Sequence, residues 1–302
     1  MDRRTEIRDF LISRRARITP QQAGLPLFGR DSRRVPGLRR EEVALLAGVS
    51  VDYYTRLERG NARGVSDSVL DNLARALQLD EAERGHLFDL VRAANAGTRP
   101  RRATRQHVRP AVQRVLDALT IPAFVRSGLF DTLAANRLGL ALFSPMLEGR
   151  SVPVNNARFI FLDPRAHRFF GDWASVADDT VAGLRWAAGR DPYDKALTDL
   201  VGELSTRSEF FRTRWAAHDV RLHRNGVKDF HHPVVGDITL AWECMSIDAD
   251  AGLTLVTYSP EPGSPSEDAV ELLAGWAATV DHERAADQAH EKEAGPGPRP
   301  DH

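Results

Sequence analysis

The chain has 302 residues, 42% of them hydrophobic and 27% charged, and a formal net charge of -1. At roughly 150 residues per domain this length predicts about two domains, and the composition excludes a disordered or collagenous chain. No run approaches the roughly 18 apolar residues of a membrane span, and the start MDRRTEIRDF lacks the apolar segment of a secretory signal, so a cytoplasmic protein without a membrane partner is expected. The single cysteine, Cys244, excludes an intrachain disulfide and a cysteine zinc site.

The net charge hides an asymmetry. Residues 1 to 108 hold 21 Arg and no Lys against 14 Asp and Glu, a balance of +7; the remainder holds 20 basic and 28 acidic residues, a balance of -8. A basic front attached to an acidic back suggests that the first part meets a polyanion.

Residues 5 to 95 carry apolar side chains at spacings of three and four with no β-branched alternation, which predicts five helices. Ile7, Phe10, Leu11 and Ile18 form one stripe, and Val43, Leu46 and Ala47 another. Ser66 is placed to cap a helix with Val69, Leu70, Leu73 and Leu77, and Asp80 with Glu83 has the form of a capping box. Between the first two helices, the segment Ile18 to Leu38 holds Pro20, Pro26, Gly29, Gly37 and the cluster Arg30, Arg33 and Arg34. It reads either as a basic arm on the phosphates or as a solvated loop.

The sharpest signal is REEVALLAGVSVDYYTRLER, from Arg40 to Arg59, which reads as helix, tight turn, helix. Ala44 lets the helices approach, Gly48 supplies the turn, and Val43, Ala47, Val49, Tyr54 and Leu57 fall on the core side. Ser50, Val51, Asp52, Tyr53, Thr55, Arg56 and Arg59 project outward, a mixture suited to base edges and phosphates in a major groove. Arg33, Arg34, Arg39 and Arg40 complete the expected DNA-binding set. The pattern, ending in Leu57-Glu58-Arg59-Gly60, resembles the Cro/repressor-type or xenobiotic-response-element helix-turn-helix family; where that family usually carries glutamine, this chain has Arg40, which suits a phosphate. Reading a two-fold site implies a homodimer with half-sites about 34 Å apart or a multiple of it.

Ala96 to His107 holds Gly97, Pro100 and four arginines with no apolar residue larger than alanine, and predicts an exposed linker over 96–108. The expected organisation is a DNA-binding domain over 1–95, the linker, a second domain over 109–282 and a disordered tail over 283–302. The second domain reads as α+β: Pro110 opens a helix, short apolar runs that read as early strands follow at 123–126 and 159–162, helices are expected near 173–188, 194–204 and 208–216, and a last one over 267–280. Strands over 220–224 and 227–230 flank Asn225-Gly226, the strongest short hairpin signal, and strands over 238–247 and 253–258 flank a loop with Asp250 and Gly252. Ile238, Leu240, Trp242 and Cys244 describe one buried sheet face.

RRVPGLRREEVALLAGVSVDYYTRLERG also resembles the MmyB-like regulators of actinobacteria and relatives, and the likeness continues through Ala135-Asn136, Phe161-Leu162-Asp163-Pro164, Asp172-Trp173, Leu184-Arg185, Leu204-Ser205, Phe211, Trp215 with His218-Asp219-Val220, and His232-Pro233. The resemblance implies a multidomain protein, an all-α helix-turn-helix domain followed by a PAS-like α+β domain with an antiparallel sheet, and a cavity for a fatty-acid-like or other small hydrophobic ligand. Phe124, Leu138, Phe143, Phe159, Phe161, Leu184, Phe211, Trp215, Leu240 and Trp242 are the expected ligand-facing residues; the same side chains also serve as an ordinary filled core of a dimerisation or protein-interaction module. His218, His223, His231 and His232 cluster in sequence but lack metal-ligand spacing, so no metal is expected. No nucleophile-elbow, phosphate-loop or dinucleotide motif is present, so neither catalytic residues nor a cofactor are expected.

Overall fold

The computed structural model describes residues 3–25, 37–95, 107–147, 150–191, 194–217, 224–250 and 252–293. The first five helices are α1 (Arg3–Arg17), α2 (Arg40–Ala47), α3 (Val51–Glu58), α4 (Asp67–Ala76) and α5 (Glu81–Asn95). Their ends follow local chemistry. Gly48 takes a left-handed φ of 67° after α2, the Ser66 hydroxyl accepts from the Val69 N–H, and Glu83 N–H donates to Asp80 Oδ1 at 2.8 Å while Asp80 N–H donates to Glu83 Oε2 at 3.3 Å. The apolar stripes meet in one core that includes Ile7, Phe10, Leu11, Leu38, Val43, Tyr54, Leu57, Leu70, Leu73 and Leu87. Gly37 is needed beside this core, since a Cβ there would stand 2.5 Å from the Arg15 carbonyl oxygen.

The chain then forms α6 (Pro110–Ala118), β1 (Ala123–Ser127), β2 (Asp131–Ala135), α7 (Arg137–Leu142), α8 (Ser144–Leu147), β3 (Val154–Asn155), α9 (Asn156–Leu162) and α10 (Ala166–Phe169). Three longer helices follow, α11 (Trp173–Arg190), α12 (Lys195–Arg207) and α13 (Glu209–Ala216). The rest is β4 (Asn225–His232), β5 (Gly236–Ser246), β6 (Leu253–Ser259) and α14 (Pro265–Glu293). All six strands join one antiparallel sheet in the order β3-β2-β1-β6-β5-β4.

One face of β1 packs with α6 through Leu116, Ala123, Val125, Ala134 and Leu253. The other carries Phe124 and, across the sheet, Val256, Trp242, Leu240 and Phe230. Asn136 ties β1 to α7: buried to 3%, its Oδ1 accepts from Ala123 N–H at 3.0 Å and Gly139 N–H at 2.7 Å, and its Nδ2 donates to the carbonyls of Leu119 and Ile121. Every polar valence of that amide is used, which fixes α7 against the sheet.

The chain divides into two compact units that are not consecutive in sequence: Met1–Arg105 with Ala174–His223, and Gln106–Trp173 with Arg224–His302. This differs from the expected single domain over 109–282, because α11–α13 join the helix-turn-helix helices. In that first unit Arg185 is 2% exposed, its guanidinium lies over the Trp215 ring at 4.5 Å, and Nη1 is 3.6 Å from Glu6 Oε2 on α1. Burial pushes the Glu6 carboxyl up, against the opposing pull of Arg185. Gly189 packs so closely on α5 that a Cβ would stand 2.5 Å from the His86 ring.

Three further expectations change. Residues 156–162 are a helix rather than a strand, capped by Asn155, whose Oδ1 accepts from Arg158 N–H at 3.0 Å. Asn225-Gly226 is not a turn; both pair within β4, opposite Glu243 and Trp242, and a Cβ on Gly226 would lie 3.1 Å from the indole Nε1. The hairpin instead closes through Pro233 to Gly236, whose φ is +79°. The segment expected to be disordered from 283 continues α14 to Glu293, a stretch of Ala, Glu, Gln and Lys with strong intrinsic helix propensity. Residues 294–302 of the expected tail and 96–106 of the expected linker lie outside the described residues.

Candidate functional site: a recognition helix and an aromatic core

The α3 helix begins at Ser50, whose Oγ accepts from the Tyr53 N–H at 3.1 Å. Ser50, expected as a base reader, therefore uses an oxygen lone pair as the helix cap. Tyr54 and Leu57 are buried, whereas Val51 (45% exposed), Asp52, Arg56 and Arg59 face solvent with half-buried Tyr53 and Thr55 between them. The Arg56 guanidinium stands 5.1 Å from the Tyr53 ring centroid, a cation–π contact that orders a long side chain before any partner arrives.

Asp52, Thr55, Arg56 and Arg59 line an open cleft of about 380 Å³ together with Arg4 and Asn61. Three arginines against one carboxylate make that cleft cationic. Arg4 and Asn61 are not part of the expected interface; Gly60, with a φ of +84°, lets the chain approach α1 so closely that a Cβ would stand 2.2 Å from the Arg4 carbonyl oxygen. No local sequence pattern announces that meeting.

Glu58, 1% exposed, orders the whole motif. Its Oε1 accepts from Arg15 Nε at 2.6 Å and from the Tyr54 hydroxyl at 3.4 Å, and its Oε2 accepts from Arg40 Nε. Burial, followed by the Glu58 charge, pushes the Tyr54 phenol well up, so it remains the donor. Arg40, expected on a phosphate, is thus held through Nε to α3 while its side chain stays 48% exposed. Arg39 stands at the N-cap position of α2, where its backbone N–H donates to Glu42 Oε2 at 2.6 Å, and its side chain pairs with Glu41 at 3.4 Å. Arg33 and Arg34 lie outside the described residues, as do Pro26, Gly29 and Arg30 of the expected basic arm.

The expected ligand-facing residues fall into two groups. Leu184, Phe211 and Trp215 belong to the unit that holds the helix-turn-helix, where Phe211 and Trp215 stack at 5.5 Å. Phe124, Leu138, Phe143, Phe159, Phe161, Leu240 and Trp242 belong to the sheet unit. There Phe143 is the centre of an aromatic cluster, with ring centroids 5.4 Å from Phe124, 5.6 Å from Tyr258, 5.8 Å from Phe169 and 6.0 Å from Phe230. Phe159 joins through Phe169, while Phe161 packs apart, 6.4 Å from Trp173. Phe169, Phe170, Phe230 and Tyr258 were missed in sequence; the alternation of β6 places Tyr258 on the Val256 face and was the available signal.

Between this sheet face and α7–α8 lies a small cavity lined by Phe124, Thr132, Ala135, Gly139, Leu140, Phe143, Met146 and Leu147. Its volume is about 10 Å³, the room of a single water molecule. His232, at the end of β4, is 3% exposed; Nδ1 accepts from the Val234 N–H at 3.3 Å and Nε2 donates to the Ala141 carbonyl at 3.1 Å. Burial pushes the imidazole down and keeps it neutral. Among the described residues no group of three or more His, Cys, Asp or Glu stands close enough to hold a metal ion, and no helix is long and apolar enough to cross a membrane. His218 and His223 lie outside those residues.

Comparison with known families agrees with the two-part architecture. Residues 14–87 match a helix-turn-helix domain, and residues 108–273 match the MmyB-like transcription regulator ligand binding domain. No curated protein matches the chain. The second match crosses the boundary between the compact units and takes in α11–α13. A helix-turn-helix DNA-binding domain joined to a ligand-binding domain makes a transcription regulator, and since the ligand-binding match spans more than half of the chain, the protein belongs to the MmyB-like transcription regulator family.

Proposed function

We propose that this regulator reads its DNA sequence through α3, acts as a homodimer, and is controlled by a small apolar, fatty-acid-like molecule taken up by the sheet unit. Arg56 and Arg59 are the phosphate or guanine contacts, and Val51, Asp52, Tyr53 and Thr55 the readers of base edges, with Val51 suited to a thymine methyl. Two copies presenting α3 to half-sites about 34 Å apart give the two-fold recognition such helices use.

The observation that carries the regulatory reading is the packing of α11–α13 with the DNA-binding helices. Those helices come from the segment that matches the ligand-binding domain, yet Arg185 meets Glu6 of α1 and Gly189 meets His86 of α5. A ligand that alters how α11–α13 sit alters the scaffold of the recognition helix, and its effect is limited to its differential affinity for the two arrangements.

A second reading is favoured by one feature: the apolar cavity is nearly filled, far below the roughly 300 Å³ of ordinary ligand sites. On that reading the sheet unit is a dimerisation or protein-interaction module. Native mass spectrometry of the purified protein, before and after denaturing extraction, separates the two. A dimer with added small apolar mass supports the sensor, a dimer without added mass that no lipid of a panel stabilises supports the module, and a strictly monomeric species on and off DNA removes the two-fold reading.

A further inference from the structure

We propose that Arg4, on the first turn of α1, grips the DNA backbone, and that the Glu6–Arg185 ion pair positions it, so that the start of α1 joins α11–α13 to the recognition cleft. The inference rests on the DNA reading of α3 and adds to it a contact and the element that carries the coupling.

Arg4 is exposed and lines the same open cleft as Thr55, Arg56, Arg59 and Asn61. Its backbone is fixed there. Gly60 meets the Arg4 carbonyl oxygen with no room for a Cβ between them, and Ile7, fully buried, seats the next turn of α1 in the core. The opposite wall is equally ordered, since Asn61 N–H donates to the Arg56 carbonyl at 3.1 Å and Gly60 N–H to the Leu57 carbonyl at 2.8 Å. Guanidinium groups from α1 and from α3 thus converge on one cleft, with Asp52 the single carboxylate in its lining. Arg4 stands on α1 and not on the helix that enters the groove, so it meets the sugar-phosphate strand beside that groove. A contact of this kind sets register and affinity without reading sequence.

Successive helical residues are rotated by about 100°, so Glu6, two positions after Arg4, points to the other side of α1. There its Oε2 is 3.6 Å from Arg185 Nη1 of α11. Arg185 is 2% exposed and lies over the Trp215 ring of α13 at 4.5 Å, so Glu6 is tied to an enclosed cation with little freedom to move. The start of α1 is therefore held by α11 on one side and by the exit of α3 on the other. A shift of α11–α13 that carries Glu6 with it displaces Arg4 in the cleft, while Arg56 and Arg59 stay with α3. Control exerted in this way changes affinity for all DNA sequences alike and leaves base preference intact.

The test uses the full chain and a duplex that the wild-type protein selects from a random pool, with affinities from fluorescence anisotropy over a range of salt. Arg4→Gln, a change at an exposed side chain, should weaken binding about 3- to 10-fold near 0.1 M salt, equally for the selected duplex and its single-base variants, and make the salt slope shallower by about 1. Glu6→Gln removes a negative charge, so long-range electrostatics alone would tighten binding. Loss of positioning predicts the opposite, a weakening of about 2-fold or more that disappears when Arg4→Gln is already present. Unchanged affinity and slope in Arg4→Gln overturn the contact and the coupling with it. Equal or tighter binding by Glu6→Gln, or a loss that adds in full to that of Arg4→Gln, overturns the positioning role. A wild-type chain that selects no duplex overturns the DNA reading itself, a result obtained before any variant is made.

Discussion

Replacing Glu58 with glutamine tests whether one buried carboxylate holds the three helices of the DNA-binding motif together. Glu58 is 1% exposed and takes hydrogen bonds from Arg15 on α1, Arg40 on α2 and Tyr54 on its own helix. Glutamine keeps the shape but loses the charge and turns an N–H toward an arginine. Breaking a buried ion pair costs about 3–5 kcal/mol. The lower end applies, because the Arg15 side chain is 15% exposed and its Nη1 still donates to the Leu38 carbonyl at 2.8 Å. Arg40, 48% exposed, adds at most about 1 kcal/mol. A loss of about 3 kcal/mol corresponds to a fall of roughly 6–12 °C for a cooperative unit of this size. Differential scanning calorimetry of wild type and Glu58→Gln, each with and without DNA, reads the shift directly. A change below about 1 kcal/mol would refute the argument that this carboxylate is desolvated and shared by three donors.

Other outcomes follow from the same geometry. Arg56→Ala should weaken operator binding by about 1–3 kcal/mol with relaxed preference at one base if Arg56 reads guanine, or uniformly with a salt slope shallower by about 1 if it grips phosphate; mobility shifts across salt distinguish the two, and unchanged affinity removes Arg56 from the interface. Gly189→Ala should destabilise the helix-turn-helix unit by about 1–3 kcal/mol in urea unfolding, because its Cβ would meet the buried His86 ring at 2.5 Å, and a neutral result would mean that α11 does not pack on α5 as described. His232 is held below its ordinary value of 6.5, so the unfolded chain takes up the proton first as pH falls. The stability it contributes is complete above pH 6.5 and declines below it. Melting temperatures of wild type and His232→Asn between pH 7.5 and 5.5 should show a shallower slope in the variant, and equal slopes would count against a buried neutral imidazole.

The helix-turn-helix was legible because its determinants are local. Gly48, the Ser50 and Ser66 caps and the Asp80–Glu83 box act within three or four residues, and the apolar stripe of Val43, Ala47, Tyr54 and Leu57 needs only helical periodicity to be seen. The strand alternation of Ile238, Leu240 and Trp242 was equally plain, since successive strand side chains face opposite ways. Where two local readings competed, tertiary structure decided. Arg158 to Leu162 fits a short buried strand or a helix, and the structure has a helix there, with Asn155 as its cap and Phe159 and Ile160 buried. Asn225-Gly226 has the composition of a turn, yet the indole of Trp242 across the ladder requires a glycine there and keeps the pair in the strand. The candidate sites depend on meetings that sequence does not encode locally: Glu6 with Arg185, Arg4 with the cleft beside α3, and Glu58 with Arg15 and Arg40. Spacing and side-chain chemistry along the chain were enough to reveal the five N-terminal helices, the buried face of β5 and the family resemblance. The packing of α11–α13 with the DNA-binding helices was not legible along the chain, because burial and charge pairing are set by residues far apart in sequence.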